Sequence, residues 1–410
     1  MKTLKTSLLS AAITAAVLGQ TVQVHAADSI AEAVKEGKAS ISFRLRHEDV
    51  DVDNASEDNS TAQTLKTRLN YKTGDYKGFT AFVELDDVTA LGDEDYATSK
   101  ALKLTGNYPG ETIIADPEGT EVNQAYLAYT GYDSVVKYGR QRILLDNQRF
   151  VGGVGFRQNE QTYDAISITN NSITDTTVFY AHIDNVNRIF GEDDPAVSDT
   201  ESSTDLLNIK YAGLEVGTLT FYSYLLDETD ADTQYDTYGL RFAGKTGAFG
   251  YALEYATQDK DLASGVSYDA DYMLAEGSFT VEGVKLTLGY ESLGSDNGDY
   301  GFSTPLATGH KFQGWADQFL STPDEGINDL YFSVGGKIAG VKVLAVYHDF
   351  TADEDNASSD DDLGSEYGIL IAKKFGNYGL SAKYASYSEG DDSFGKADVD
   401  KLWITATASF

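Results

Sequence analysis

Apolar and polar residues alternate with a period of two along most of this chain. Ile41, Phe43 and Leu45 alternate with Ser42, Arg44 and Arg46, and Leu65, Leu69 and Tyr71 with Lys66, Arg68 and Asn70. Phe79, Ala81, Val83 and Leu85 alternate with Thr80, Phe82, Glu84 and Asp86. Further on, Val284, Leu286, Leu288 and Tyr290 alternate with Lys285, Thr287 and Glu291, and Tyr378, Leu380, Ala382 and Tyr384 with Ser381, Lys383 and Ala385. Successive side chains of a strand point to opposite faces, so this rhythm predicts strands with one apolar and one polar face. About 18 can be placed, an even number. They fall near residues 38–47, 64–73, 77–87, 121–130, 133–142, 161–169, 173–183, 203–213, 216–226, 233–243, 247–257, 266–276, 280–292, 327–338, 340–351, 364–375, 377–388 and 398–410. The period alone fits a half-buried soluble sheet equally well.

The connections separate the two cases. Tight turns are marked by Thr73-Gly74-Asp75-Tyr76, Gly131-Tyr132, Asn170-Asn171-Ser172, Gly213-Leu214-Glu215, Gly244-Lys245-Thr246, Ile338-Ala339 and Gly376. Between them lie long links at 48–63, 87–120, 143–160, 184–202, 293–326 and 352–363. Short turns at one end and long loops at the other are the topology of an antiparallel up-and-down transmembrane β-barrel, with periplasmic turns and extracellular loops. The fold class is therefore all-β, a barrel of about 18 strands spanning 38–410. A soluble sandwich has no reason to alternate its connections so regularly.

Two terminal signals agree. Lys2 and Lys5, the short apolar stretch Leu8 to Leu18, and Val24-His25-Ala26 predict a secretory signal over 1–26. No later segment has about 18 consecutive apolar residues, so no transmembrane helix is predicted. Residues 27–37 read as a short periplasmic segment with a weak helical pattern, placing Ile30, Ala31 and Val34 on one side. At the other end, Leu402, Ile404, Ala406, Ala408 and Phe410 share one face of the last strand. An alternating last strand with a terminal Phe resembles the assembly signal of outer-membrane barrels. Phe410 is thus expected to meet the barrel-assembly machinery, and the cell outer membrane of a Gram-negative bacterium is the expected location.

Composition sharpens this. The chain has 410 residues with 27 Tyr, 19 Phe, 39 Gly and only 5 Pro, which suits hairpins and aromatic girdles. A net charge of −34 repels nucleic acid, so no nucleic-acid partner is expected. Much of the acid sits in the long links, as in Asp49, Asp51 and Asp53, Glu192-Asp193-Asp194, Asp353-Glu354-Asp355 and Asp360-Asp361-Asp362. These segments read as solvated; none has EF-hand spacing, although divalent ions held between loops and lipopolysaccharide are a further reading. There is no Cys, so neither a disulfide nor a Cys-ligated metal site can form. His47, His182, His310 and His348 are scattered and sit in no nucleophile motif, so no enzyme, metal or cofactor is predicted.

Several segments resemble the alginate-export-type porins, a family with an 18-stranded barrel. They are Phe43-Arg44-Leu45-Arg46-His47-Glu48, Thr64-Leu65-Lys66-Thr67-Arg68-Leu69, and Gly78-Phe79 through Val83-Glu84. Tyr138-Gly139-Arg140-Gln141-Arg142 continues the pattern through Asp146-Asn147-Gln148-Arg149-Phe150-Val151-Gly152 and Phe156-Arg157-Gln158. The likeness is clearest over 40–165. It implies an outer-membrane pore, with a polyuronate exporter as one alternative function.

Eight of the nine Arg precede residue 189. Sequential strands of an up-and-down barrel are spatial neighbours, so Arg44, Arg46, Arg68, Arg140 and Arg142 should share one arc of wall. Arg44, Arg46 and Arg68 alternate with apolar residues and are expected to line the lumen, as are Glu84 and Asp86. Arg140 and Arg142 have ambiguous parity. A mid-bilayer, lipid-facing Arg costs roughly 2–4 kcal/mol, so both are turned inward. This arc either draws anions or pairs with lumen acids to brace the wall, and facing positive and negative arcs would set a transverse field. The link 143–160 mixes Leu144 and Leu145 with Arg149, Phe150, Phe156 and Arg157, too apolar for a solvated loop. It is the expected constriction. The function predicted is passive diffusion of small hydrophilic, acidic solutes; a structural or adhesive barrel is the remaining alternative. Outer-membrane lipid, lipopolysaccharide and a second copy of the chain are the other candidate partners.

Overall fold

The protein was analysed as a computed structural model, described over residues 27–53, 59–92, 96–100, 111–194 and 196–410. The segment 1–26, predicted as an export signal, lies outside these residues. A helix α1 (Ile30–Lys35) precedes β1 (Lys38–Val52), β2 (Ser60–Lys72), β3 (Phe79–Ala90), β4 (Gly119–Gly131), β5 (Ser134–Gln141) and β6 (Thr162–Asn170). There follow β7 (Thr176–Asn187), β8 (Asp199–Leu214), β9 (Gly217–Glu228), β10 (Thr233–Thr246), β11 (Phe249–Leu262) and β12 (Ser267–Val281). The last third holds β13 (Val284–Leu293), β14 (Ile327–Ile338), β15 (Val341–Thr351), β16 (Asp362–Phe375), β17 (Tyr378–Ser388) and β18 (Val399–Ser409).

Each strand pairs antiparallel with its neighbours in sequence, and β18 returns to β1 with Leu45 opposite Ala406 and Ser42 opposite Ser409. The result is a closed 18-stranded barrel. Closure pairs every strand edge, the one way a sheet can leave no backbone group unpaired in hydrocarbon. All the expected strands are present. Several reach further than the pattern suggested: β1 runs to Val52 and β2 starts at Ser60, so the predicted link 48–63 shrinks to seven residues between them. Asp49 and Asp51 lie on the same outward parity as Leu45, but above the apolar band, where charge no longer marks a strand's end.

The outer face is apolar. Leu69, Val83, Leu127, Ile168, Phe221, Leu253, Leu288, Phe332, Ile369, Leu380 and Ile404 all point away from the lumen and are exposed. The inner face is polar and its middle is filled. α1 lies at the end with the short turns, held by the Gly74 N–H donating to the Ala33 carbonyl at 2.8 Å and by the Tyr71 hydroxyl on the Val34 carbonyl. Ala33 is buried, while Ile30 and Val34 are exposed. The helix is docked through backbone polar groups against a turn, so no apolar stripe is needed.

Candidate functional site: loops folded into the lumen

The segment 142–161, between β5 and β6, folds into the lumen and packs against 294–326, between β13 and β14. Val151 and Leu306 form a parallel bridge, and the Gly152 N–H donates to the Leu306 carbonyl at 2.8 Å. The Thr308 N–H donates to the Gln148 carbonyl at 3.1 Å. Gly152 permits this approach: a Cβ there would sit 2.1 Å from Thr308 Oγ1. The second loop was not anticipated from sequence as an inward element. Its aromatic residues Phe302, Phe312, Trp315 and Phe319 were the available signal, since a solvated loop would hold few.

The wall residues grip this pair of loops. Arg44 donates to the Gln158 Oε1 at 2.8 Å, the Gly155 carbonyl at 2.9 Å and the Arg157 carbonyl. Among the described residues Arg44 has no carboxylate partner. Arg46 is buried, lies 3.6 Å from Asp116 and places its guanidinium 4.3 Å from the Phe156 ring centre. Arg68 binds Asp86 through two hydrogen bonds of 2.7 and 2.6 Å and reaches Glu160 at 3.0 Å. Arg142 donates to Glu160 at 2.6 Å and to Glu84 at 2.9 Å. Lys66 completes the group, 3.3 Å from Asp86 and donating to the Gln158 carbonyl at 2.8 Å. Three cations thus face Glu84, Asp86 and Glu160. Burial disfavours ionised Glu160, but Arg142, Arg68 and Lys66 together hold its carboxyl well below the usual range. Most of the arginine arc is therefore charge-compensated and fixes the loop to the wall.

Arg140 departs from the expectation. Tyr138 on the same parity of β5 is 69% exposed, and Arg140 follows it to the outer face. It pairs with Asp164, its direct register partner on β6, at 2.9 Å, and with Glu192 at 3.2 Å. In register it stands beside Ala125 of β4, and its guanidinium reaches along the wall to the Val122 carbonyl at 3.1 Å and to Glu192 of the β7–β8 loop. The cost that argued for turning it inward applies at mid-bilayer. At the polar border, beside two carboxylates, it does not arise.

Arg157 ties three parts together. It bonds Glu48 on β1 at 3.1 and 2.9 Å and Asp317 of the second loop at 3.2 Å. Asp317 also accepts from His310 at 2.6 Å and Lys401 at 3.3 Å. Lys383 lies 2.6 Å from the His310 Nε2, so that nitrogen accepts and Nδ1–H faces Asp317. His310 is thereby neutral, and burial lowers its pKa to about 3. Phe156 stacks on the His310 ring with centroids 3.6 Å apart. On the far side, Arg149 lies 3.0 Å from Glu291, and Phe150 packs among Tyr222, Tyr272 and Phe302. Glu254, Glu291, Asp329 and Glu366 are buried on the opposite wall, so acids do face the arginine arc, although Arg241, Arg149 and His348 pair with three of them.

Above this floor is a cavity of about 1160 Å³, bounded by the long loops. Among the described residues its cationic lining is Lys100, Arg157, Arg188, Lys396 and Lys401, against Asp199 and Asp317. The family model for alginate export matches residues 37–290. The chain belongs to the alginate export family. No curated protein matches it in sequence. Similar solved structures include Pseudomonas aeruginosa OccK9 (OpdG), with TM-score 0.69 and 15% identity over 92% of this chain and 99% of that one. Acinetobacter baumannii OccAB1 has TM-score 0.70 and 12% identity over 95% and 99%. Pseudomonas aeruginosa OpdK, solved with vanillate, has TM-score 0.69 and 10% identity over 92% and 99%. At such identities the likeness establishes the shared barrel. For this alginate export family member, closure and an apolar outer face place it in the outer membrane.

Proposed function

We propose that this barrel is a passive channel for small hydrophilic solutes, preferring acidic ones, with its selective floor where 142–161 meets 294–326. The observation that carries this is the charge of the cavity above that floor. In a chain of net charge −34, the lining among the described residues holds five cations against two carboxylates, and with Arg157 and Lys401 engaged by Asp317, Lys100, Arg188 and Lys396 are set against Asp199. Rings of Lys or Arg select for anions, and charges in a confined low-dielectric space outweigh those facing bulk water. Arg44, Arg46, Arg68 and Arg142, with Glu84 and Asp86, act mainly by holding the constriction loop, whose Arg149, Phe150, Phe156 and Arg157 shape the passage. A polyuronate chain, as the family name suggests, would have to displace both loops where they meet across the lumen. Single-channel recording in a planar bilayer with a salt gradient tests the proposal. A steady conductance with an anion-favouring reversal potential is expected, shifted toward cations by Lys396→Gln with Arg188→Gln. A silent barrel, or a cation-selective pore unaffected by those changes, would overturn it.

A further inference from the structure

The lysines are not spread evenly along the barrel axis. At the end with the short turns, Lys38, Lys72, Lys285, Lys337, Lys342 and Lys374 fall on the inward parity of β1, β2, β13, β14, β15 and β16. They share that parity with the buried residues Arg46, Lys66, Thr287, Asp329, His348 and Glu366 of the same strands. All six are exposed, and none has an ion-pair partner among the described residues. The next inward residue on each strand is Ser40, Asn70, Thr287, Gly335, Leu344 or Ala372, none of them acidic. Lys38 stands directly opposite Lys72 in register, and Lys337 directly opposite Lys342.

Like charges placed directly across a strand pair destabilise it. Neighbouring strands are about 4.8 Å apart, inside the screening length of about 8 Å at physiological salt, so these ammonium groups reinforce one another. An arrangement that repels itself, and whose ammonium groups have no ion-pair partner among the described residues, is relieved by a mobile anion. The opposite mouth carries the acidic loops around Asp353, Asp360 and Asp391.

We propose that this arc of lysines is an anion-collecting site at the periplasmic mouth, with highest affinity for compact multivalent anions such as oligophosphates or polycarboxylates. As part of the channel reading, it makes the pore electrically asymmetric: anions are concentrated at the periplasmic mouth and depleted at the acidic one. Current carried by anions is then larger in one direction.

The test uses the full barrel and one variant combining Lys38→Gln, Lys72→Gln, Lys337→Gln and Lys342→Gln. These side chains are exposed at the rim, and an unchanged heat-dependent gel shift confirms a closed barrel. At low salt the wild-type current at opposite voltages should differ about twofold, falling to a ratio of about one in the variant. Inorganic tripolyphosphate should block from the periplasmic side at a concentration several-fold lower than from the other, and the variant should lose this sidedness. Rectification and sidedness identical in both proteins would overturn the site. Should neither protein conduct, the channel reading fails, and tripolyphosphate binding measured by calorimetry decides the lysine site by itself. Binding weakened about tenfold or more in the variant supports it; equal binding overturns it.

Discussion

Replacing Arg157 by Gln removes the cation that joins the constriction loop to the wall and to its partner loop. Glu48 has no exposed surface, and its carboxylate would lose both bonds of 3.1 and 2.9 Å. Asp317 would lose one of its three donors and keep His310 and Lys401. Removing one member of a buried ion pair costs roughly 3–5 kcal/mol, because the remaining charge is left uncompensated. With tenfold for each 1.4 kcal/mol, the ratio of docked to released loop falls roughly a hundred- to a few-thousand-fold. The loop retains its three bonds from Arg44, the Lys66 bond to Gln158 and the Glu160 cluster. Full release is therefore not expected; noisy excursions are. The double variant Arg157→Gln with Glu48→Gln removes both charges and should recover much of the loss. The assays are guanidinium unfolding in detergent and single-channel noise. A single variant as stable and as quiet as wild type, or a coupling energy below about 0.5 kcal/mol, would refute the argument that this pair holds the loop.

Gly152→Val should part the two loops, since its Cβ would lie 2.1 Å from Thr308 Oγ1 and 3.0 Å from the Thr308 backbone nitrogen; a higher conductance with an unchanged gel shift is expected, and conductance equal to wild type would count against the loop contact as the constriction. Acid should loosen the floor. His310 is neutral in the fold, with a pKa lowered to about 3, against about 6.5 when unfolded. The unfolded state binds the proton first, so this stabilising contribution is present above about pH 6.5 and is lost progressively as pH falls toward 3. Channel noise should rise between pH 7 and 5, and His310→Asn, which keeps hydrogen-bonding capacity without titrating, should flatten that rise. Deleting Phe410 should lower the outer-membrane level without blocking export. Its backbone N–H donates to the Ile41 carbonyl at 2.8 Å and its carbonyl accepts from Ile41 at 3.0 Å, closing the β1–β18 seam. Normal surface levels of the deletion would show that neither the seam nor recognition of the terminal ring depends on it.

The approximate number of strands, their up-and-down order and the faces of the clearly alternating stretches followed from the sequence alone. The pleat has a period of two, and one face must be apolar in lipid, so local composition and orientation are the same information. Arg44, Arg46, Arg68, Glu84 and Asp86 could be placed inward on that ground, because each alternates with Leu, Val or Phe. Arg140 could not: the chain leaves the strand just after it, and whether an Arg is tolerated outside depends on its height and on the carboxylates of Asp164 and Glu192, which come from elsewhere in the chain. The apolar content of 143–160 pointed to an inward loop, but not to its partner. That Arg149 meets Glu291, that Arg157 joins Glu48 to Asp317, and that Phe156 stacks on His310 are contacts across more than a hundred residues of sequence. Nothing in local periodicity encodes them. They exist because closing the barrel brings the first strands and the last ones to the same lumen, and because charges removed from water there must find each other. Tertiary structure, not composition, decided that most of the arginine arc is spent on bracing and that the lysines at the turn end have no ion-pair partner among the described residues.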